Sequence, residues 1–354
     1  MTPSVALDCR KIDDFGIGTY VRGLLSGFAA LGRPERLVLV GGGAAAATIA
    51  AGIRGWRYVP ETAAPYSVSE QVALARRARE ADVWHFPHYV TPVLSSTPFV
   101  VTIHDLIHIE RPRERSALHR AYALFFLTRA ASRARIVVTA THASAATIAE
   151  LSPGSSSRIR VIPHAVSPPL LEAPAPSDGR AVRERLGVAG RILLYVGNDL
   201  PHKNLPALLQ ALASIRDHLG NETRLVLAGT PSAGDRPWRK SARELGVSPI
   251  VVAPGRVSIE ELRALYAEAA LVFPSLAEGR AAPRGDGPGT AVLAARIPPV
   301  AEALGPWPHA TSIPAIRRRF RGPCARSSRA RRTAPPRSHG ARMPAPTRGG
   351  ARPR

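Results

Sequence analysis

Leu193-Leu194-Tyr195-Val196-Gly197-Asn198-Asp199-Leu200-Pro201-His202-Lys203-Asn204-Leu205 is the stretch whose reading decides the fold. An apolar run of strand length meets a glycine, and a lysine stands just before a helical pattern over 205–219. Strand, glycine turn and helix are the repeating unit of a parallel sheet covered on both faces. A cation beside the exposed N–H groups of a helix start also suits a diphosphate. A lone lysine is more often solvated surface, so the position after the strand is what gives Lys203 weight.

The same alternation extends in both directions. Upstream, residues 5–7, 37–40, 83–86, 99–103, 136–139 and 160–162 read as buried strands. From 192 onward come 192–196, 225–228, 250–252 and 271–273, with helical periodicity again at 259–269. Four prolines between 168 and 178 separate the two series. The pattern predicts an α/β chain of two doubly wound, Rossmann-like parallel-sheet domains facing a cleft. The first spans residues 1–170, a linker 171–185, and the second 186–305. Ligands of such sheets bind outside the carboxyl ends of the strands, so the loops there are where chemistry is expected.

Composition narrows the function classes. The chain has 354 residues, and 45% apolar content is enough for a core in each domain. Its net charge is +22, unevenly placed: residues 280–354 hold 16 arginines and 13 of the 34 prolines, against only Asp286 and Glu302. A uniformly basic nucleic-acid-binding domain is excluded. Cys9 and Cys324 are too few for a disulfide framework or a cysteine-rich zinc site. Asp8, Arg10, Lys11, Asp13 and Asp14 interrupt any signal sequence, and the longest uncharged run, 37–53, is short for a bilayer. A soluble, cytoplasmic body is expected.

Four strand-end loops carry candidate chemistry. Asp13-Asp14-Phe15-Gly16-Ile17-Gly18-Thr19-Tyr20 follows the first strand, and Gly16 and Gly18 would let backbone approach an anion at a helix start. A turn that merely needs positive φ is the plain alternative. Val101-Thr102-Ile103-His104-Asp105-Leu106 ends another strand. There His104 could meet a sugar oxygen and Asp105 could orient it or accept a hydrogen bond, with a buried polar pair as the alternative. His85 and His88 lie at a further strand end without carboxylate spacing for a metal, and read as loop structure. Leu271-Val272-Phe273-Pro274-Ser275-Leu276-Ala277-Glu278-Gly279 closes the set: Glu278 could accept from sugar hydroxyls or cap a helix.

Taken together, the Asp-x-Arg…Gly-Ile-Gly-Thr-Tyr opening, His104-Asp105-Leu106, Tyr195-Val196-Gly197…His202-Lys203-Asn204-Leu205 and Val272-Phe273-Pro274-Ser275-Leu276-x-Glu278-Gly279 resemble retaining family 4 glycosyltransferases of GT-B architecture. Ile162-Pro163-His164-Ala165-Val166 looks like their interdomain Pro-Asn-Gly-Val. The resemblance covers about residues 4–280 and is nearest to mannosyltransferase-type members of polysaccharide and lipopolysaccharide pathways. It implies transfer of a sugar from a nucleotide-diphosphate donor to a glycan or lipid-linked acceptor, with retention and without a bound divalent metal or other cofactor. Gly16 and Gly18 would face the donor diphosphate and acceptor, and His104 the transferred sugar. Gly197, Asn198, Lys203, Asn204, Glu278 and Gly279 would hold the donor, with Lys203 neutralising the diphosphate and Glu278 binding sugar hydroxyls. Two departures stand out: Asn198, Asp199 and His202 occupy the stretch where the family has a second basic residue, and His164 replaces the interdomain asparagine.

After Glu278-Gly279 the pattern breaks. The second acid of the family's Glu-x7-Glu motif would fall at Asp286, in Arg280-Ala281-Ala282-Pro283-Arg284-Gly285-Asp286-Gly287-Pro288. Codons for these residues, read one base later, allow Gly-Leu-Pro-Leu-Glu-Ala-Met-Ala, the missing motif. Residues 289–305 look like the family again. The codons of Ala310-Thr311-Ser312-Ile313-Pro314, read two bases later, allow Arg-Tyr-Phe-Asp-Pro. Residues 280–288 and 306–354 are therefore read as frame-shifted translation of a GC-rich gene, with a disordered Arg/Pro-rich tail from 306 and an impaired enzyme as the consequence. An uninterrupted frame in independent clones would sink this idea.

The basic residues raise two other readings. A nucleic-acid-binding tail would mix lysine with arginine and interleave aromatics, yet the chain has only Lys11, Lys203 and Lys240, and past Pro308 only Phe320. No specific nucleic-acid partner is expected. Residues 111–135 set seven arginines around Leu118, Tyr122, Leu124, Phe125, Phe126 and Leu127. This is either a core-packed helix or one in peripheral contact with the anionic inner face of a membrane.

Overall fold

The computed structural model describes residues 2–14, 16–32, 36–64, 66–111, 116–220, 222–231, 234–278, 291–304 and 310–313. The described residues form two wholly parallel sheets. The first contains β1 (Val5–Asp8), β2 (Leu37–Val40), β3 (Trp56–Val59), β4 (Val83–Phe86), β5 (Phe99–Thr102), β6 (Ile136–Thr139) and β7 (Ile159–Val161), in the order β3-β2-β1-β4-β5-β6-β7. The second contains β8 (Ile192–Val196), β9 (Arg224–Ala228), β10 (Val251–Gly255), β11 (Ala269–Phe273), β12 (Val292–Ala295) and β13 (Ala310–Ile313), in the order β10-β9-β8-β11-β12-β13. Strand order reverses between β1 and β4 and again between β8 and β11, which opens a crevice at the carboxyl edge of each sheet.

Central strands are apolar throughout because helices cover both faces: all four residues of β2 are buried, as are Leu225, Val226, Leu227 and Ala228 of β9. The helix Leu205–Ser214 shows how its sequence earns its place. Leu205, Leu208, Leu209 and Leu212 fall at helical spacing and are all buried against Tyr195, Leu225 and Leu227. Truncating Leu209 to alanine would cost about 3 kcal/mol through lost burial and the cavity left behind. The helix Ile259–Glu268 starts at a capping box, with Ser258 Oγ accepting from Glu261 N and Glu261 Oε2 accepting from Ser258 N.

Two features differ from the sequence reading. β3 has no apolar run: Arg57 and Tyr58 are exposed on this edge strand, so periodicity does not reveal it. The expected linker contains the helix Pro176–Leu186, whose Val182 is buried in the second core and whose Gly179 abuts the Glu268 side chain. The arginine-rich helix is Ala117–Arg133, and it buries Ala123, Phe126, Leu127, Ala130 and Ala131 in the first core, leaving Leu118 and Phe125 exposed. Among the described residues, no helix is long and apolar enough to cross a membrane. The segments read as frame-shifted, 280–288 and 306–354, lie outside the described residues except for β13.

Candidate functional site

At the carboxyl edge of the first sheet, four elements converge on one ring cluster. Tyr20 comes from the helix Ile17–Leu31, His85 from β4, Thr102 and His104 from the end of β5, and His164 from the segment after β7. The Tyr20 hydroxyl lies 3.0 Å from Thr102 Oγ1, which lies 2.8 Å from His85 Nε2. Burial pushes the His85 pKa down to about 4, so its ring is neutral at neutral pH. Burial also raises the Tyr20 phenol, outweighing its bond to Thr102. The Tyr20 ring stands edge-on to His104 and His164, with centroids 4.9 and 5.1 Å away.

His104 is buried and its ring is held at both ends. Nε2 lies 3.0 Å from Pro87 O and Nδ1 lies 3.3 Å from His164 Nε2. Asp105 was expected to orient this ring. Asp105 Oδ1 accepts from Ile107 N at 3.3 Å, the acceptor alternative, in the turn that leads into the short helix Ile107–Glu110. Successive residues of an extended segment project to opposite sides, so the neighbour of His104 in sequence faces its own following turn. His85, read as loop structure, belongs to the cluster; His88 does fit that reading, with Nδ1 accepting from Val90 N at 3.2 Å.

The glycine loop is built for its own packing. Gly16 has a φ of 90° and starts the helix Ile17–Leu31, a conformation that favours glycine. A Cβ on Gly18 would sit 2.1 Å from Ile12 O, so this glycine admits the close approach of its own chain. Asp8 and Arg10, of the Asp-x-Arg opening, form a buried ion-paired brace: Arg10 forks onto Asp8 at 2.9 and 2.7 Å and reaches Glu70 at 2.9 Å.

In the second sheet the loops after β8 and β11 meet at the switch point. Lys203 Nζ lies 2.5 Å from Glu278 Oε1, with side chains 16% and 9% exposed, and 5.6 Å above the Phe273 ring. The two loops are stitched together by Leu276 N donating to His202 O at 2.7 Å and Asn204 Nδ2 donating to Pro274 O at 3.1 Å. Asn204 adopts φ 59°, which turns the chain into the helix start. Gly197, at φ 151°, donates its N–H to Ala228 O and accepts from Thr230 Oγ1, so both its polar groups are tied to the end of β9 and the loop after it. Asn198 caps its own turn, its Oδ1 accepting from Leu200 N at 3.4 Å. Arg236, from the loop after β9, pairs with Asp199 at 3.1 and 3.2 Å. Gly279 lies outside the described residues.

The two halves share a cavity of about 390 Å³. Leu106, Ala143, Ser144 and Thr147 of the first sheet's loops line it together with Leu276, Ala277 and Glu278 of the second. Beside it, the Glu302 carboxylate accepts from His142 N at 2.8 Å and from His142 Nδ1 at 2.7 Å, crossing from the helix Pro298–Leu304 to the start of the helix His142–Leu151. Burial opposes the charge of Glu302, but these bonds hold its carboxyl below the usual range. The cavity thus meets the carboxylate of Glu278, the partner of Lys203, on one side and the hydroxyls of Ser144 and Thr147 on the other.

Comparison with known proteins agrees with this architecture. Residues 16–169 match the Glycosyltransferase Family 4 model and residues 182–307 match the Glycosyl transferases group 1 model. The chain is 31% identical over 221 residues to the MMP alpha-(1->4)-mannosyltransferase of Mycolicibacterium hassiacum, covering 59% of this chain and 51% of that protein. It thus spans about half the length of this curated relative. Among solved structures it resembles the sucrose-phosphate synthase of Thermosynechococcus elongatus (TM-score 0.65, 18% identity, 88% of this chain and 86% of that one). It also resembles Anabaena HepE in complex with UDP-glucose (TM-score 0.63, 17% identity, 83% and 80%). WaaG, a glycosyltransferase involved in lipopolysaccharide biosynthesis, superposes similarly (TM-score 0.63, 18% identity, 87% and 85%). Matching models on both halves, two parallel sheets and a shared cavity at their strand ends place this chain in the family 4/group 1 glycosyltransferases, with the GT-B fold.

Proposed function

We propose that this chain transfers a hexose, mannose in preference, from a nucleotide-diphosphate sugar to a glycan or lipid-linked acceptor of cell-surface polysaccharide synthesis, with retention of anomeric configuration. The observation that carries the reading is the pairing of Lys203 with Glu278, which lines the cavity that Leu106, two residues on from His104, also lines. In the reaction an acceptor hydroxyl bonds to the anomeric carbon, the bond to the diphosphate breaks, and the hydroxyl proton leaves with the diphosphate. Charge then grows on the leaving oxygens and on an oxocarbenium-like sugar. Before this step, as the donor binds, Lys203 exchanges Glu278 for the diphosphate, and Glu278 accepts from the sugar hydroxyls. Fixed charges already in place stabilise the transition state without reorganising at the moment of reaction. The mannosyltransferase relative and the UDP-glucose held by HepE support a nucleotide-sugar donor.

A thermal-shift screen of nucleotide sugars on the full chain tests the reading. At least one sugar donor is expected to raise the melting temperature of the wild type and not of Lys203→Ala. No shift with any nucleotide sugar would overturn it. The reading places the chain in the cytoplasm; exposed Leu118 and Phe125 beside Arg120 and Arg133 support peripheral contact with anionic bilayers, which co-sedimentation with and without anionic lipid checks. The frame-shift reading adds that transfer by this chain falls well below that of a frame-corrected one. Equal rates would contradict it.

A further inference from the structure

We infer that Tyr66 is a stacking platform for a sugar ring of the acceptor, which makes a glycan rather than a lipid chain the group recognised beside the first sheet. The inference rests on the proposed function for its place in transfer, and sugar binding at this ring can be measured apart from it. Tyr66 lies just before the helix Val68–Arg77 and adopts φ 65°. Among the described residues, the other non-glycine residue at positive φ is Asn204. Asparagine tolerates that region and glycine adopts it freely, whereas a tyrosine there is strained. Such strain persists only where the surroundings over-determine it. Tyr66 N donates to Glu70 Oε2 at 2.7 Å, and the buried Glu70 is fixed in turn by Arg10, which also forks onto Asp8. Ser67 already caps the helix, its Oγ accepting from Glu70 N at 3.1 Å, so the helix start does not need a tyrosine before it. What the brace fixes is the direction of the ring.

Tyr66 is 49% exposed, although His88 and Tyr122 stand edge-on to its ring at 5.8 and 6.1 Å. Lys11 Nζ lies 4.7 Å from the ring centroid and 3.4 Å from the phenol oxygen, and it donates to Asp14 Oδ2 at 3.2 Å. Lys11 and Asp14 belong to the loop after β1 that leads to Gly16 and Gly18. His88 is next to Pro87, whose carbonyl oxygen lies 3.0 Å from His104 Nε2. The platform is therefore a neighbour of the ring cluster and separate from it. Chemistry selects its ligand. A pyranose has a face of weakly positive C–H groups that suits the negative face of an aromatic ring, and an edge of hydroxyls that both donate and accept. Tyr66 supplies the face, the half-exposed Asp14 carboxylate accepts, and Lys11 and the phenol donate. A hydrocarbon chain would strip water from Lys11 and Asp14 without replacing it, and a phosphate would meet the Asp14 carboxylate.

The test titrates the full chain, carrying ring-labelled tyrosine, with manno-, gluco- and galacto-configured trisaccharides by NMR, for wild type, Tyr66→Gly, Tyr66→Asn and Tyr66→Phe. At least one trisaccharide is expected to shift the Tyr66 ring signals, which Tyr66→Phe identifies by their loss. Affinity for that sugar should fall about 10-fold in Tyr66→Gly and Tyr66→Asn and stay within about twofold in Tyr66→Phe, because stacking needs the ring and not its hydroxyl. Glycine and asparagine both accept φ 65°, so relief of strain offsets the lost ring contacts and the melting temperature holds. With the same sugar as acceptor, KM should rise in parallel while kcat is unchanged. No shift of Tyr66 by any trisaccharide, affinity unchanged in both Tyr66→Gly and Tyr66→Asn, or a loss of affinity explained by unfolding in both, overturns the inference. The titration contains no donor, so failure to bind nucleotide sugars would sink the proposed function and leave this result readable.

Discussion

The cluster around His104 and the pair formed by Lys203 and Glu278 sit at equivalent places, the switch points of two parallel sheets, yet they are made differently. The first gathers five side chains from four elements and holds them with side-chain hydrogen bonds and ring contacts. The second is a single ion pair across two loops of one switch point, braced by backbone bonds. A hydrogen-bonded network fixes orientation and is costly to leave half-satisfied. An ion pair stores charge that a ligand can claim by exchanging partners. The first region thus suits positioning of the sugar and its protons, and the second suits a departing anion.

The comparison breaks most readily at Lys203. Lys203→Ala should lower kcat/KM for transfer roughly 1,000-fold, because it removes the fixed cation at the leaving group. His104→Ala, in the ring cluster, should lower it roughly 100-fold. Reversed order in the same assay would mean that the ring cluster carries the greater share of the chemistry. Gly18→Ala should cost about 2 kcal/mol of stability in urea melts through the clash with Ile12 O. Gly23→Ala, in the same helix with nothing within 4 Å, should gain up to about 1 kcal/mol.

A smaller effect separates the two sides by pH. The folded pKa of His85 is about 4, below its unfolded value of 6.5, so its contribution is complete above pH 6.5. As pH falls from 6.5 to about 4 the unfolded chain takes up a proton that the folded one refuses, and stability falls. Glu302 has a lowered pKa, so its contribution is present above pH 4.5 and is lost only below that, as pH falls through its folded value. His85→Gln should flatten the stability curve between pH 6.5 and 4, and Glu302→Gln only below 4.5. The smallest expected change is none: the family resemblance implies transfer without a resident metal, so EDTA should leave the rate unaltered. A rate lost on chelation and restored by a divalent cation would overturn that expectation.

Legibility followed the same division. Lys203 and Glu278 could be read because each closes an apolar strand, and strand ends in a doubly wound sheet are where ligands bind. His104 could be read for the same reason, but its partners could not. Pro87 and His164 lie 17 and 60 residues away along the chain. Asp105, adjacent in sequence, was the natural guess and is turned the other way. The pairing of Arg236 with Asp199, 37 residues apart, leaves no local signature in the sequence. β3 was missed because an edge strand need not be apolar.

Apolar runs and helical periodicity were enough to establish the parallel α/β class, the two series of strands and the loops that matter, because burial on both faces leaves a local signature. The uneven arginine count likewise separated the body from residues 280–354 without any coordinates. Strand order, by contrast, is a long-range choice. Only the placement of β1, β4, β5 and β7 in one parallel sheet brings Tyr20, His85, Thr102, His104 and His164 to a common edge. Hydrogen bonds and ion pairs decay within a few ångströms, so which polar residues act together was settled by the tertiary structure alone.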